Sequence, residues 1–253
     1  MCALSCERRP VRNSEAGRSR GYDTNTAANV YRQLNLAHTN ADSLAIDAFF
    51  VNWNKTILPA DSTTINSTRV TREVYAIYKA FFRDHDSLPI DNMGWDGKLH
   101  TPRYYVIQDQ IDYTCVSYYK GFGMVTKHGI VTSFRPSLLL PQDKILYLTD
   151  AYNIGINRFL GIDTAHTEAL CLNDSEQDNR VTFMRAYFSI KYGARNKRMW
   201  RLCTYPHIGT MIFGDSLDHV LFDFSIISEG GTVTMKKIKG EWVIERVEGR
   251  WVE

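Results

Sequence analysis

From Val220 onward the chain is written in a two-residue period, and that period limits the fold more than any other feature. Val220, Phe222, Phe224 and Ile226 alternate with Leu221, Asp223, Ser225 and Ile227, the pattern of a strand with one face turned to a core. Upstream, Met184, Ala186, Phe188, Ile190 and Tyr192 alternate with Phe183, Arg185, Tyr187, Ser189 and Lys191 in the same way. A turn at Gly230-Gly231 leads into another strand through Met235, and Gly240 allows the turn into EWVIERV. Strands this close in sequence, joined by short turns, predict an antiparallel meander. Trp242 and Trp251 fall within the last twelve residues, and a frayed tail has no use for them. Trp242 is expected to anchor the sheet against helices, and Trp251 to pin the chain end.

The first third reads as helix. Val30, Leu34, Ala37, Ala41, Leu44, Ala48 and Val51 recur at spacings of three and four, which predicts one continuous amphipathic helix. Phe49, Phe50 and Trp53 widen its buried face, and Pro59 stops it or lies just beyond its stop. A second helix carries Val70, Val74, Ile77, Tyr78 and Phe81 on one side. Residues 85–102 read as loop, broken by Pro89, Gly94, Gly97 and Pro102. Strand text resumes at RYYVIQDQIDYTCVSYY and at KILYLT, and DAYNIGINRFLG predicts a helix capped by Thr149 or Asp150. Gly161 to Arg180 reads as a polar loop.

Helices first and a sheet last predict an α+β fold over residues 28–253, behind a disordered leader or tether at 1–27. A strongly curved antiparallel sheet wrapped on the N-terminal helices would form a cone with an open mouth. That outline resembles the nuclear-transport-factor-2-like, or cystatin-like, fold, whose last strands often hold a glycine turn followed by a tryptophan.

Charge narrows the partners. The net charge of +2 conceals five arginines against two glutamates in residues 1–20, so the body of the chain sums to −1. A nucleic-acid binder concentrates basic residues on one face of its domain, and none is expected here. The densest basic run in the body, GARNKRMWR, reads equally as a solvated turn and as an anion site. Of five cysteines, Cys2, Cys6, Cys115, Cys171 and Cys203, none has zinc or redox spacing. The last three allow one disulfide of unassigned pairing or three buried thiols. The opening MCALSC, followed by a polar stretch, has the look of the end of a lipoprotein signal, with Cys6 as the lipidated residue and residues 7–25 as the tether. Its apolar segment is absent, and a basic leader of a cytoplasmic protein is the competing reading. No run of eighteen apolar residues occurs.

Chemistry leaves few marks. Neither a dinucleotide or phosphate-binding glycine loop nor HExxH or GxSxG occurs, so no cofactor is expected. GFGMVTKHG lies between strand segments and reads as a flexible hairpin. The seven histidines are never three or four apart, which offers no helical metal pair. Asp84, His85, Asp86, Asp91 and Asp96 lack the ordered alternation of a calcium loop, so no metal site is assigned. Asn54, Asn66 and Asn173 open short glycosylation patterns. The one acid–base candidate is Asp223 with His207. An Asp223 turned into a cone would be desolvated and usable as a base, whereas its alternation with Ser225 points outward. Trp95 and His100, in the long loop, are candidate rim residues for binding a small molecule, glycan or peptide.

The ordered pieces RYYVIQDQIDY, SFRPSLLL, ILYLTDAYNIGINRFLG, WRLCTYPHIGTMIF, DHVLFDFSIISEGGTVTMKK and GEWVIERVEGRWVE resemble a family of uncharacterised proteins from Bacteroidetes-type bacteria. That resemblance covers residues 28–253. It implies an exported or lipid-anchored chain of the cell envelope and lends no activity. The leading expectation is a non-enzymatic binding or structural domain whose only membrane contact is the anchor. The alternative is a small-molecule hydrolase or isomerase working through the Asp223/His207 pair.

Overall fold

The computed structural model describes residues 24–82, 103–119, 122–138, 140–161, 172–187, 190–192, 200–202, 207–226 and 229–252. Helices α1 (Thr24–Thr39), α2 (Ser43–Thr56), the single turn α3 (Ser62–Ile65) and α4 (Arg69–Phe82) come first. Strands β1 (Tyr105–Gln108), β2 (Gln110–Tyr119), β3 (Phe122–Thr132) and β4 (Ile145–Leu148) follow, then helices α5 (Asp150–Phe159) and α6 (Asp174–Arg185). The chain continues through β5 (Ile190–Tyr192), β6 (Trp200–Leu202), β7 (His207–Ile208), β8 (Met211–Gly214), β9 (His219–Ile226), β10 (Glu229–Ile238) and β11 (Glu241–Val252).

The large sheet has seven strands in the order β11-β10-β9-β8-β2-β3, with β7 added beside β9. It overturns the expected cone. A closed sheet pairs its end strands, but β11 and β3 stand at opposite ends of this order, unpaired with each other among the described residues. The sheet is also mixed, because β2 and β8 run parallel, with Tyr113 opposite Met211 and Val116 opposite Gly214. A parallel pair cannot be joined by a tight turn, and here β2 ends at Tyr119 while β8 begins at Met211. The nuclear-transport-factor-2-like outline is therefore wrong for this chain.

Nor do the N-terminal helices act as one body. The apolar stripe that predicts a single helix is broken at Asn40–Asp42. Ala41 takes φ of 50°, and the Asp42 carboxylate caps α2 by accepting from the amides of Leu44 and Ala45 at 3.0 and 2.9 Å. The break lets α2 turn its Phe50 between Tyr104 and Tyr187, with ring centroids 5.1 and 4.7 Å away. Trp53 stacks on Tyr152 at 4.2 Å and donates its indole N–H to the Tyr147 carbonyl. These contacts tie α2 to β4 and α5, whose partner strand β1 runs parallel to β4. Helix α4 lies on the large sheet, where Phe81 meets Phe222 and Phe224 edge-on at 5.2 Å.

Three local expectations also change. Residues 183–185, read as strand, end helix α6, and part of the predicted loop before Arg180 is its first turns. Its core face is Gln177, Arg180, Val181 and Met184. The two polar members are buried because they reach the open end of α5: Gln177 donates to the Leu160 carbonyl at 3.0 Å and Arg180 to that of Phe159 at 2.9 Å. Gly230-Gly231 lies inside β10, where the pairing with β11 shifts register, not in the turn. Gly123 and Gly129 likewise lie within β3. Gly129 makes room for the Tyr113 side chain, whose hydroxyl would stand 2.5 Å from an added Cβ.

Helix α5 crosses α1 at Gly155. A Cβ there would meet the Val30 side chain at 2.6 Å and the Ala27 carbonyl at 2.8 Å. Helix propensity alone favours alanine by about 1 kcal/mol, but backbone oxygen cannot rotate away. Gly155→Ala is therefore expected to destabilise the fold by about 1–3 kcal/mol, measured by urea denaturation. A neutral or stabilising result would show that the two helices can slide apart.

Candidate functional site

The inner face of the large sheet is sealed. Met211, Phe213, Val220, Phe222, Phe224, Val233 and Met235 are all buried, and Trp242 closes one end. Period two then sends Ile212, Leu221, Asp223, Thr232, Thr234 and Lys236 to the outer face. Register arranges them in rows. Thr114 stands opposite both His128 and Ile212, Ile212 opposite Leu221, and Leu221 opposite Thr234. In the next row Asp223 stands opposite Thr232, which stands opposite Glu248. Ile212 and Leu221 remain 37% and 39% exposed at the middle of this face, and Val243, opposite Lys236, is 36% exposed on the same face.

Asp223 and His207 are both here. His207 pairs with Ser225, which places it on the outer face and diagonal to Asp223. Both residues are exposed. The Asp223 carboxylate accepts from the Thr232 hydroxyl at 2.6 Å, and its backbone carbonyl accepts from Gly209 at 2.7 Å. An exposed carboxylate lacks the desolvation on which the acid–base reading depends. Cys6, Trp95 and His100 lie outside the described residues, as do Cys2, Cys171, Cys203, the acidic run 84–96 and the GARNKRM segment.

Three polar centres went unread in the sequence. Glu73 sits on the apolar stripe of α4 and is 4% exposed. It accepts from Lys237 Nζ at 2.8 and 2.7 Å and from Trp242 Nε1 at 2.8 Å. Burial by itself pushes its carboxyl up, but the bonds from Lys237 and Trp242, with the Lys237 and Arg72 charges, hold it below the ordinary value. A carboxylate at the i+3 position from Val70 was the available signal.

The second centre lies where β1 passes into β2. Asp109 accepts from Arg135 Nε at 2.8 Å, and its carbonyl accepts from the Phe134 amide at 2.8 Å. The Tyr75 hydroxyl accepts from the Arg135 amide and donates to the Ser133 carbonyl. The Tyr147 hydroxyl donates to the Pro136 carbonyl at 2.7 Å, and burial pushes its pKa up to about 12. Burial also raises Asp109, outweighing its bond to Arg135 and the Arg135 charge.

The third centre has the residue types of a hydrolytic triad in the wrong order. Asp218 accepts from both the Ser216 hydroxyl and His219 Nδ1. The serine thus bonds to the carboxylate and not to the imidazole, so no base activates it. Hydrogen bonds from Ser216 and then His219 hold Asp218 below its ordinary value.

The three glycosylation asparagines are committed to the fold. Asn54 donates to the carbonyls of Gln142 and Ile145 at 2.8 and 2.7 Å, Asn66 donates to Ser62, and Asn173 caps α6. Cys115 is a buried free thiol, raised by burial. Among the described residues no group of three or more His, Cys, Asp or Glu is placed to hold a metal, and no helix is long and apolar enough to cross a membrane.

No protein-family model, curated protein or solved structure matches this chain. The resemblance to a Bacteroidetes-type exported family is thereby corrected: no family model or relative supports it. Six short strand and helix segments in order carried it, and apolar alternation of that kind recurs across unrelated sheets.

Asp109 and Glu73 titrate in opposite senses. A raised Asp109 contributes stability that is complete below its ordinary value of 3.8 and is lost as pH rises through the raised value. A lowered Glu73 contributes stability that is complete above its ordinary value of 4.5 and is lost as pH falls through the lowered value. From roughly pH 3 to pH 6, Asp109→Asn should therefore gain stability relative to the parent as pH rises, and Glu73→Gln should lose it. Urea denaturation across that range checks this; differences of the same slope would contradict the assignment.

Proposed function

We propose that this chain is a non-enzymatic binding or structural domain whose working surface is the outer face of its large sheet. The observation that carries the reading is the pair Ile212 and Leu221, opposite each other and exposed. Apolar side chains at the middle of a half-wet face are the usual anchor of a contact, with the surrounding threonines and charges as its rim. An extended peptide or a glycan suits such a flat surface better than a small molecule, which needs a concave site. Placement at the cell envelope is part of the same proposal and rests on Cys6 and the polar segment after it. A Cys6→Ser change should then move the protein from the membrane to the soluble fraction.

The enzyme alternative has weaker support, since Asp223 and His207 are exposed and the sheet interior is apolar. One experiment separates the two readings. Wild type, Ile212→Glu/Leu221→Glu and Asp223→Asn are screened on glycan and peptide arrays and on p-nitrophenyl ester, phosphate and glycoside substrates. The binding reading expects a retained ligand whose affinity falls at least about tenfold in the double variant, matching the loss of about 1–3 kcal/mol of apolar contact. It also expects no turnover. Turnover by the wild type that Asp223→Asn abolishes would sink it in favour of the hydrolase.

A further inference from the structure

Strand β3 closes one end of the large sheet, and among the described residues no strand pairs with its far side. Such a strand leaves the N–H and C=O groups of alternate residues free to accept another strand. Thr126 forms a bulge in it, since Cys115 stands opposite Lys127 and Val116 opposite Val125. Beyond the bulge, Lys127–Thr132 pair with Cys115–Gln110 without a break. Two donors meet on the core-facing side of that run. Tyr113, opposite Gly129, is 9% exposed, and its hydroxyl makes no hydrogen bond among the described residues. Its ring leans across the edge strand: the oxygen, Cζ and Cε1 would stand 2.5, 2.6 and 2.9 Å from a Cβ on Gly129. The hydroxyl therefore reaches the border of the sheet over a residue with no side chain of its own. Lys127 Nζ stands over the same ring, 5.8 Å from its centre, and has no ion pair among the described residues. A hydroxyl on a nearly buried side chain normally has a partner. Here the hydroxyl and the ammonium share one ring, and both lack an acceptor.

We propose that β3 receives an extended acidic peptide as an added strand, with one carboxylate of that peptide set opposite Gly129. Backbone pairing along Lys127–Thr132 holds the strand, and the notch at Gly129 selects its side chain. Directly opposed side chains on one face of a strand pair stand about 5 Å apart, and Gly129 leaves that place empty. A glutamate there reaches across the glycine to accept from the Tyr113 hydroxyl and from Lys127 Nζ, a charge-assisted arrangement. A lysine at the same place meets only donors. The charge of the strand supports the choice of an acidic partner. Between Phe122 and Thr132 stand Lys127 and His128 but no Asp or Glu, so a second copy of β3 brings no acceptor to the notch. The carboxylates nearby are placed elsewhere: Asp112 is exposed on the outer face opposite Ile130, and Asp215 accepts from the Thr126 hydroxyl. Ile212 and Leu221 lie on the other face of the sheet, so this edge site stands apart from the reading proposed above.

The test is an NMR titration of the isotope-labelled full chain with three pools of heptapeptides. Each pool is randomised except at its centre, which is fixed as glutamate, glutamine or lysine. The glutamate pool is expected to shift the amides of Lys127–Thr132, with an apparent affinity about tenfold above the glutamine pool. The lysine pool should bind least. Lys127→Gln and Tyr113→Phe should each shrink the glutamate preference with far-UV circular dichroism unchanged, since one removes an exposed ammonium and the other a single oxygen. N-methylation of the peptide backbone should abolish binding, because strand addition needs its N–H groups. Equal binding of the three pools overturns the proposal, as does a glutamate preference that both variants keep. Shifts centred on Ile212 and Leu221 instead of β3 overturn it too, and so does the lack of any shift at about 1 mM peptide. If the β3 amides respond to dilution of the chain alone, the edge pairs with its own copy and the acidic partner is wrong.

Discussion

The position of α4 on the sheet depends on one buried carboxylate. Glu73 is the only charged residue on that helix's inner stripe, and it is met by an ammonium from β10 and an indole N–H from β11. Because Lys237 and Trp242 stand opposite each other in the β10–β11 ladder, one carboxylate fixes two strands and a helix together. An apolar residue at 73 would pack there in many rotations. The ion pair permits one, and that rotation brings Phe81 onto Phe222 and Phe224. Its net contribution to stability is smaller than its contribution to register, since burying the charges offsets much of their attraction.

A second constraint acts at Asp109, where the chain leaves the small parallel pair β1–β4 and enters the large sheet. Gln108 brackets the joint. Its side chain donates to the carbonyls of Gln110 and Ile208 and accepts from the Ile208 amide, so the short strand β7 hangs from it. Tyr75 of α4 and Arg135 hold the segment after β3 against the same point. The helix that Glu73 pins to one end of the sheet thus also steadies the joint at the other, and the two tethers fix its tilt.

How much of this the sequence revealed follows from which interactions are local. The strands β9 to β11 were legible because Val220, Phe222, Phe224, Val233 and Met235 keep a strict period and pair with near neighbours. Helices α4 and α5 were legible for the same reason at period 3.6. Helix α6 was not, because two of its four core positions are Gln177 and Arg180, which an apolar count scores as surface. The α1–α2 break hid behind an unbroken apolar stripe, and its signal was Asp42, a capping residue two positions before Leu44. The open, mixed sheet was least legible of all. Its centre is the parallel pairing of β2 with β8, across nearly a hundred residues, and nothing in either strand names the other. Of the candidate site, the alternation of Asp223 with Ser225 indicated the outer face. The company it keeps there, Thr232 and Ile212, came only from register.

A carboxylate whose pKa is displaced by burial and a specific partner usually invites a catalytic reading. Here the displaced buried groups argue for the opposite division of labour. Glu73 takes three donor contacts from two residues that belong to the framework, and Asp109 is held by an arginine whose own backbone is held by Tyr75. Each is consumed in joining elements that the hydrophobic pattern alone leaves free to slide. Asp223, His207 and His219, by contrast, lie exposed on the surface. Under the proposed binding reading, the exposed pair Ile212 and Leu221 on the outside of the sheet is what remains for contact.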